Sequence, residues 1–199
     1  MNFFNAKLAA MLVVAGCAFG SAAATTIDFE QPDAHGTPGG VNDVDRPIAT
    51  QGFTFSESMD IWDITTGVNS GYGPAHSGNY AILNDYGSAM AMAATGGGAF
   101  ALQDFWIQGF DNYTGAASVM AYLNGALVGA IDFSIGTGWQ NIAANFAQAD
   151  RIVVDAGGNY FIDDIGATLA ASDVPEPASL ALFGLGLAGL AGAARRSKA

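Results

Sequence analysis

The chain has 199 residues, with 6 Lys and Arg against 18 Asp and Glu and a formal net charge of -12. So acidic a surface repels nucleic acid and anionic lipid, and suits a neutral or cationic partner, or divalent cations. A single cysteine, Cys17, excludes a disulfide framework.

At the N-terminus Lys7 is the lone charge ahead of an apolar stretch over 8–20, and Ala22-Ala23-Ala24 offers small residues for cleavage before Thr25. Residues 1–24 therefore read as a signal peptide with Ala22 and Ala24 at the cleavage site, too short to span a bilayer. Val14-Ala15-Gly16-Cys17 also resembles a lipoprotein signal with Cys17 acylated, although the apolar run continues past Cys17 to a better small-residue site. Cleavage after Ala24 removes the thiol, so the mature domain must be held by its core or by metal.

Residues 25–171 make one domain's length, enough to bury a sizeable core. They hold every acid except Asp173 and Glu176, and only Arg46 and Arg151 as cations. Alternation predicts strands over 25–29 and 52–56, separated by a Gly, Pro and Asp-rich loop over 31–47. Within that loop Asn42-Asp43-Val44-Asp45 is oxygen-rich but lacks EF-hand spacing. A second loop over 67–78 carries Tyr72, Pro74 and His76 and leads into a short strand over 80–83. After Gly96-Gly97-Gly98 a longer strand is predicted over 99–110. Asn124-Gly125, between apolar runs over 118–123 and 126–133, predicts a hairpin, because that dipeptide supplies the positive φ values of a type I′ turn. Strands over 140–146, 151–155 and 160–169 complete the set. Eight or nine short strands with Gly-rich connections, and no helical period before the tail, predict an all-β fold, a β-sandwich of jelly-roll type.

From 172 to 199 the composition changes. Pro175 and Pro177 fix φ and remove backbone donors, so Val174-Pro175-Glu176-Pro177 should be extended and accessible. Residues 178–194 carry no charge, and a helix there is about 25 Å long, the short end of what crosses a bilayer. Arg195, Arg196 and Lys198 follow, which puts the C-terminus in the cytoplasm. A Pro-locked signature, an apolar span and a basic stop, in that order, resemble the PEP-CTERM sorting tail of exported bacterial proteins. The resemblance implies an exosortase-type processing enzyme as partner and anchoring by a single C-terminal transmembrane helix before processing. Cell surface or extracellular matrix is then the destination. A plain tail anchor and a buried final helix are the alternatives; the second should show a polar face, and this run has none.

Three short stretches carry a second resemblance. Asp28-Phe29-Glu30, Ser77-Gly78-Asn79-Tyr80-Ala81 and Tyr160-Phe161-Ile162-Asp163-Asp164-Ile165, in that order, look like the fixed points of galactose-binding-like jelly rolls, which include many carbohydrate-binding modules. Trp139 sits where such modules place a tryptophan. The resemblance implies a structural Ca²⁺ held by the Glu30 side chain, the Gly78 or Asn79 carbonyl, and Asp164 by side chain with its carbonyl as a further donor. The chemistry is reasonable, since Ca²⁺ takes six to eight oxygens and a site joining first and last strands staples the chain ends. Strand alternation allows only one of Asp163 and Asp164 to face such a site. Solvated strand-end carboxylates are the alternative.

Sugar-binding modules stack pyranose rings on exposed aromatics, and Trp62, Tyr72 and Tyr86 lie near loops, whereas Phe105, Trp106 and Phe110 are assigned to the core and Trp139 to the sandwich edge. His35 and His76 belong to no catalytic motif, and no G-x-S-x-G, HExxH or phosphate loop occurs. The sequence therefore reads as an exported surface or matrix protein with a non-catalytic β-sandwich that binds exopolysaccharide. A structural matrix component without a discrete ligand, and a glycoside-active enzyme, are the alternatives.

Overall fold

The computed structural model describes residues 24–30, 41–42, 47–56, 58–64, 74–84 and 87–170. The signal peptide, Tyr72, Tyr86, the 42–45 patch beyond its first residue and the sorting tail lie outside the described residues. In chain order the strands are β1 (Thr25–Ile27), β2 (Val41–Asn42), β3 (Ile48–Thr50), β4 (Phe53–Phe55), β5 (Met59–Asp63), β6 (Tyr80–Asn84) and β7 (Met90–Ala94). They continue as β8 (Phe100–Gly109), β9 (Gly115–Leu123), β10 (Ala126–Ile135), β11 (Gln140–Ala149), β12 (Arg151–Ala156) and β13 (Tyr160–Leu169).

They form two antiparallel sheets. One runs β11-β8-β13-β6-β5-β2, with β1 also on β13, and the other runs β10-β9-β12-β7-β4-β3. The sheets face each other across one core that takes Phe100, Phe105 and Ile162 from the first and Phe53, Phe55 and Val119 from the second. Phe53 meets Phe100 edge-on at 5.2 Å, and Phe29 meets Phe55 at 5.3 Å. Each such ring contributes about 1.5–3 kcal/mol by leaving water. The predicted all-β sandwich is the fold.

Asn124 and Gly125 take φ of 52° and 79°, and Leu123 pairs with Ala126, so the type I′ hairpin joins β9 to β10. Four strands had no sequence prediction: β2, β3, β5 and β7. β7 reads Met-Ala-Met-Ala-Ala, whose residues prefer helix. Its pairing with β4 and β12, with Met90, Met92 and Ala94 turned into the core, overrides that preference.

One polar device ties the sheets together. Tyr160, fully buried on β13, donates its hydroxyl to the Val154 carbonyl of β12 at 2.9 Å and accepts the Met90 N–H of β7 at 3.1 Å. Burial raises the Tyr160 pKa, so the phenol stays a neutral donor.

The strand β13 positions the site. β8 lies along one side of it; the other side is divided between β6, through Phe161–Leu83 and Ile162–Ile82, and β1, through Ile27–Ile165 to Thr25–Ala167. Asp163 and Asp164 fall at this change of partner.

Candidate functional site

The register of β13 against β8 shifts between Asp163 and Gly166, and Asp164 sits at φ 43°. That bulge corrects the alternation argument. A regular strand sends successive side chains to opposite faces, but the extra residue lets both carboxylates reach the same segment. Asp163 accepts the Ser77 N–H at 3.0 Å and the Asp164 N–H at 2.8 Å. Asp164 accepts the Ser77 hydroxyl at 2.7 Å on one oxygen and meets His76 Nδ1 at 2.6 Å on the other.

From the chain's beginning, Glu30 reaches the same segment. Its Oε1 accepts the N–H groups of Asn79 and Tyr80, each at 2.7 Å. Gly78 makes this approach possible: it lies at φ +56°, and a Cβ there would collide with the Glu30 carboxylate. Three carboxylates from two ends of the domain thus hold the 76–80 segment.

Asp163 is fully buried, and desolvation raises its pKa to about 8 against the lowering effect of the Ser77 and Asp164 N–H bonds. Between its ordinary value and about 8 the folded protein therefore keeps a proton that the unfolded chain has lost. By linkage, in chelator, stability should fall as pH rises from about 4 to about 8 and level off above. Denaturant titrations across that window check it, and Asp163→Asn should flatten the slope.

The oxygens here are of the type a hard cation takes, but each carboxylate already accepts N–H or O–H groups, and the Asn79 carbonyl accepts the Ile64 N–H at 2.9 Å. All side-chain donors except His76 are carboxylate or hydroxyl oxygens, each carboxylate oxygen has two lone pairs, and the bare Gly78 leaves backbone close to Glu30. Among the described residues no three His, Cys, Asp or Glu side chains converge as a cage, so an ion here depends on backbone carbonyls.

Aromatic residues border this segment. His76 stacks on Trp106 with ring centroids 3.7 Å apart and 17° between planes, and meets Trp139 edge-on at 5.8 Å. Trp139 is anchored by its Nε1–H on the Pro74 carbonyl at 3.0 Å. Trp106, assigned to the core from sequence, is instead half-buried on the outer face of the larger sheet, because its β8 neighbours Phe105 and Ile107 take the inward positions. Phe105 is core as expected, whereas Phe110 belongs to a second cluster on the outer face of the larger sheet with Leu83, Phe161 and Trp62. Trp62 is half-buried there, edge-on to Phe110 at 5.5 Å and to Phe161 at 5.8 Å. Its Nε1 finds no hydrogen-bond partner among the described residues.

Sequence reasoning missed His76 as a site residue. Its partner is 88 positions away, and only the strand pairing brings them together. Ser77 and His76 do not form a relay: both bond the same Asp164 carboxylate.

Residues 173–196 match the PEP-CTERM protein-sorting motif. Among curated proteins none matches the chain. Solved structures similar to it include the C-terminal family 22 carbohydrate-binding module of Clostridium thermocellum Xyn10B, 11% identical over 75% of this chain and 94% of that one, TM-score 0.41. The TmCBM61 module in complex with beta-1,4-galactotriose is 18% identical over 60% of this chain and 90% of its own, TM-score 0.34. The arabinose-bound MgGH51 arabinofuranosidase is 12% identical over 72% of this chain and 26% of its own, TM-score 0.40.

Proposed function

We propose that this is an exported, non-catalytic polysaccharide-binding sandwich, delivered by its C-terminal sorting tail. The sorting motif at 173–196 supports export, anchoring and processing by an exosortase-type enzyme. The observation that carries the binding reading is the outer face of the larger sheet. Trp106 lies opposite Asp163, Trp62 opposite Ala81, and Trp139 beside His76, so three half-buried indoles share the side of the domain that carries the polar segment. Aromatic surface with a few fixed polar groups is the usual composition of a small-ligand site. The acidic domain selects a neutral exopolysaccharide over a uronate-rich one. The reading keeps Tyr72 and Tyr86 as ligand residues named from the sequence.

The shared carboxylate of His76 and Ser77 supports the non-catalytic reading, since the serine hydroxyl is not held by the imidazole that would have to activate it. A glycan array on the purified protein tests the proposal: saturable binding lost on Trp62→Ala or Tyr72→Ala is expected, and silence across neutral glycans sinks it. The edge-on packing of Trp62 favours the second reading, a structural matrix component.

The same reading includes a structural Ca²⁺ held by the Glu30 and Asp164 side chains with the Gly78 and Asn79 carbonyls. Such an ion would supply charge neutralisation between the Glu30 and Asp164 carboxylates. At a hundredfold excess over its dissociation constant it should add about 2.7 kcal/mol of stability. Equal melting temperatures in calcium and in chelator refute it.

A further inference from the structure

Both membrane-directed ends of the chain leave the sandwich at one pole. Thr25, the first residue of β1, pairs with Ala167 near the end of β13, and Ala170 donates its N–H to the Ala99 carbonyl at 3.0 Å. The turn at Gln51–Gly52 belongs to the same pole: Thr95 donates its N–H to the Gly52 carbonyl at 2.9 Å, and a Cβ on Gly52 would lie 3.2 Å from Leu169 Cδ1. The hairpin tip at Asn124 joins it through its N–H on Asp150.

This pole departs from the rest of the domain in charge. The turn 51–52, the loop 95–99, the hairpin tip and the strand end 169–170 carry no charged residue, and the 149–151 turn adds one acid, Asp150, beside one base, Arg151. Between the loop and the strand end lies a hollow of about 470 Å³ lined by Gly52, Gly96, Gly97, Gly98 and Leu169, with Leu169 40% exposed.

We infer that this pole, without net charge among the described residues, is the docking surface for the membrane-embedded enzyme that processes the tail. The inference rests on the sorting reading and follows from reach. Four residue steps separate Ala170 from Val174, at most about 14 Å of extended chain. An enzyme that encloses Val174–Pro177 must therefore meet the pole. Lipid contact is not forced in the same way. Eight steps to residue 178 span up to about 28 Å, several times the interfacial layer of roughly 5–8 Å. Elsewhere the acids would confront the partner; here backbone, the exposed Leu127, Val128 and Leu169, and one acid beside one base do, so approach costs little electrostatic work.

Gly96 allows a clean test, because a Cβ there meets nothing within 4 Å and its φ is ordinary. Gly138, equally free, lies before Gln140 at the far end of the sandwich. In the native host, with the full chain followed by mass spectrometry, Gly96→Glu should slow tail removal by about tenfold. Gly138→Glu should process like the wild type, and both variants should melt at the wild-type temperature. Benzoylphenylalanine at position 96 should crosslink to the tail-processing enzyme. Wild-type rates for both variants overturn the docking surface and leave the sorting reading standing. Crosslinking to lipid alone assigns the pole to the bilayer and also overturns it. A wild-type chain that keeps its tail removes both.

Discussion

Tyr160→Phe should cost about 2–4 kcal/mol, because it leaves two buried backbone groups without their partner. The hydroxyl accepts the Met90 N–H and donates to the Val154 carbonyl, so one atom links β13 of the larger sheet to β7 and β12 of the other. Phenylalanine keeps the ring and its packing, and the loss therefore reports the polar link alone. Chemical denaturation at neutral pH reads it directly. A change below about 0.5 kcal/mol, the range of an ordinary surface substitution, would mean that packing alone joins the sheets.

Gly78→Ala should be as damaging, for a different reason. The position sits at φ +56°, where a residue with a Cβ loses about 1–2 kcal/mol, and the added methyl would displace the Glu30 carboxylate. Two N–H bonds to that carboxylate, from Asn79 and Tyr80, are then lost or lengthened. A total near 3 kcal/mol is expected, since hydrogen bonds to charged groups are worth about 1.5–3 each and these are partly solvated. The same variant should lose any melting-temperature response to calcium, whereas Tyr160→Phe should keep it. Retention of the full calcium response in Gly78→Ala would place the ion elsewhere.

Where local chemistry decided the structure, the sequence was legible. The Asn124-Gly125 hairpin needed only two positive φ values, and β13 spans the predicted 160–169 because an apolar run pairs on both sides there. β7 was not legible, since Met and Ala carry no strand preference and its place is set by β4 and β12. The candidate site was legible in part. Glu30 and Asp164 both bond the 76–80 segment, Glu30 through the Asn79 and Tyr80 N–H groups, but the alternation that separated Asp163 from Asp164 fails at a bulge no sequence rule marks. Nor could spacing show that Trp106 faces outward under His76: a strand of apolar residues on both faces hides which face is core.

The most direct measurement of the proposed function is affinity electrophoresis of the processed protein through gels containing the host's own neutral exopolysaccharide, in calcium. The proposal predicts retardation that rises with polysaccharide concentration, disappears in Trp106→Ala combined with Trp139→Ala, and does so without loss of the wild-type fold by circular dichroism. Mobility independent of polysaccharide at every concentration would contradict it and leave a structural matrix protein.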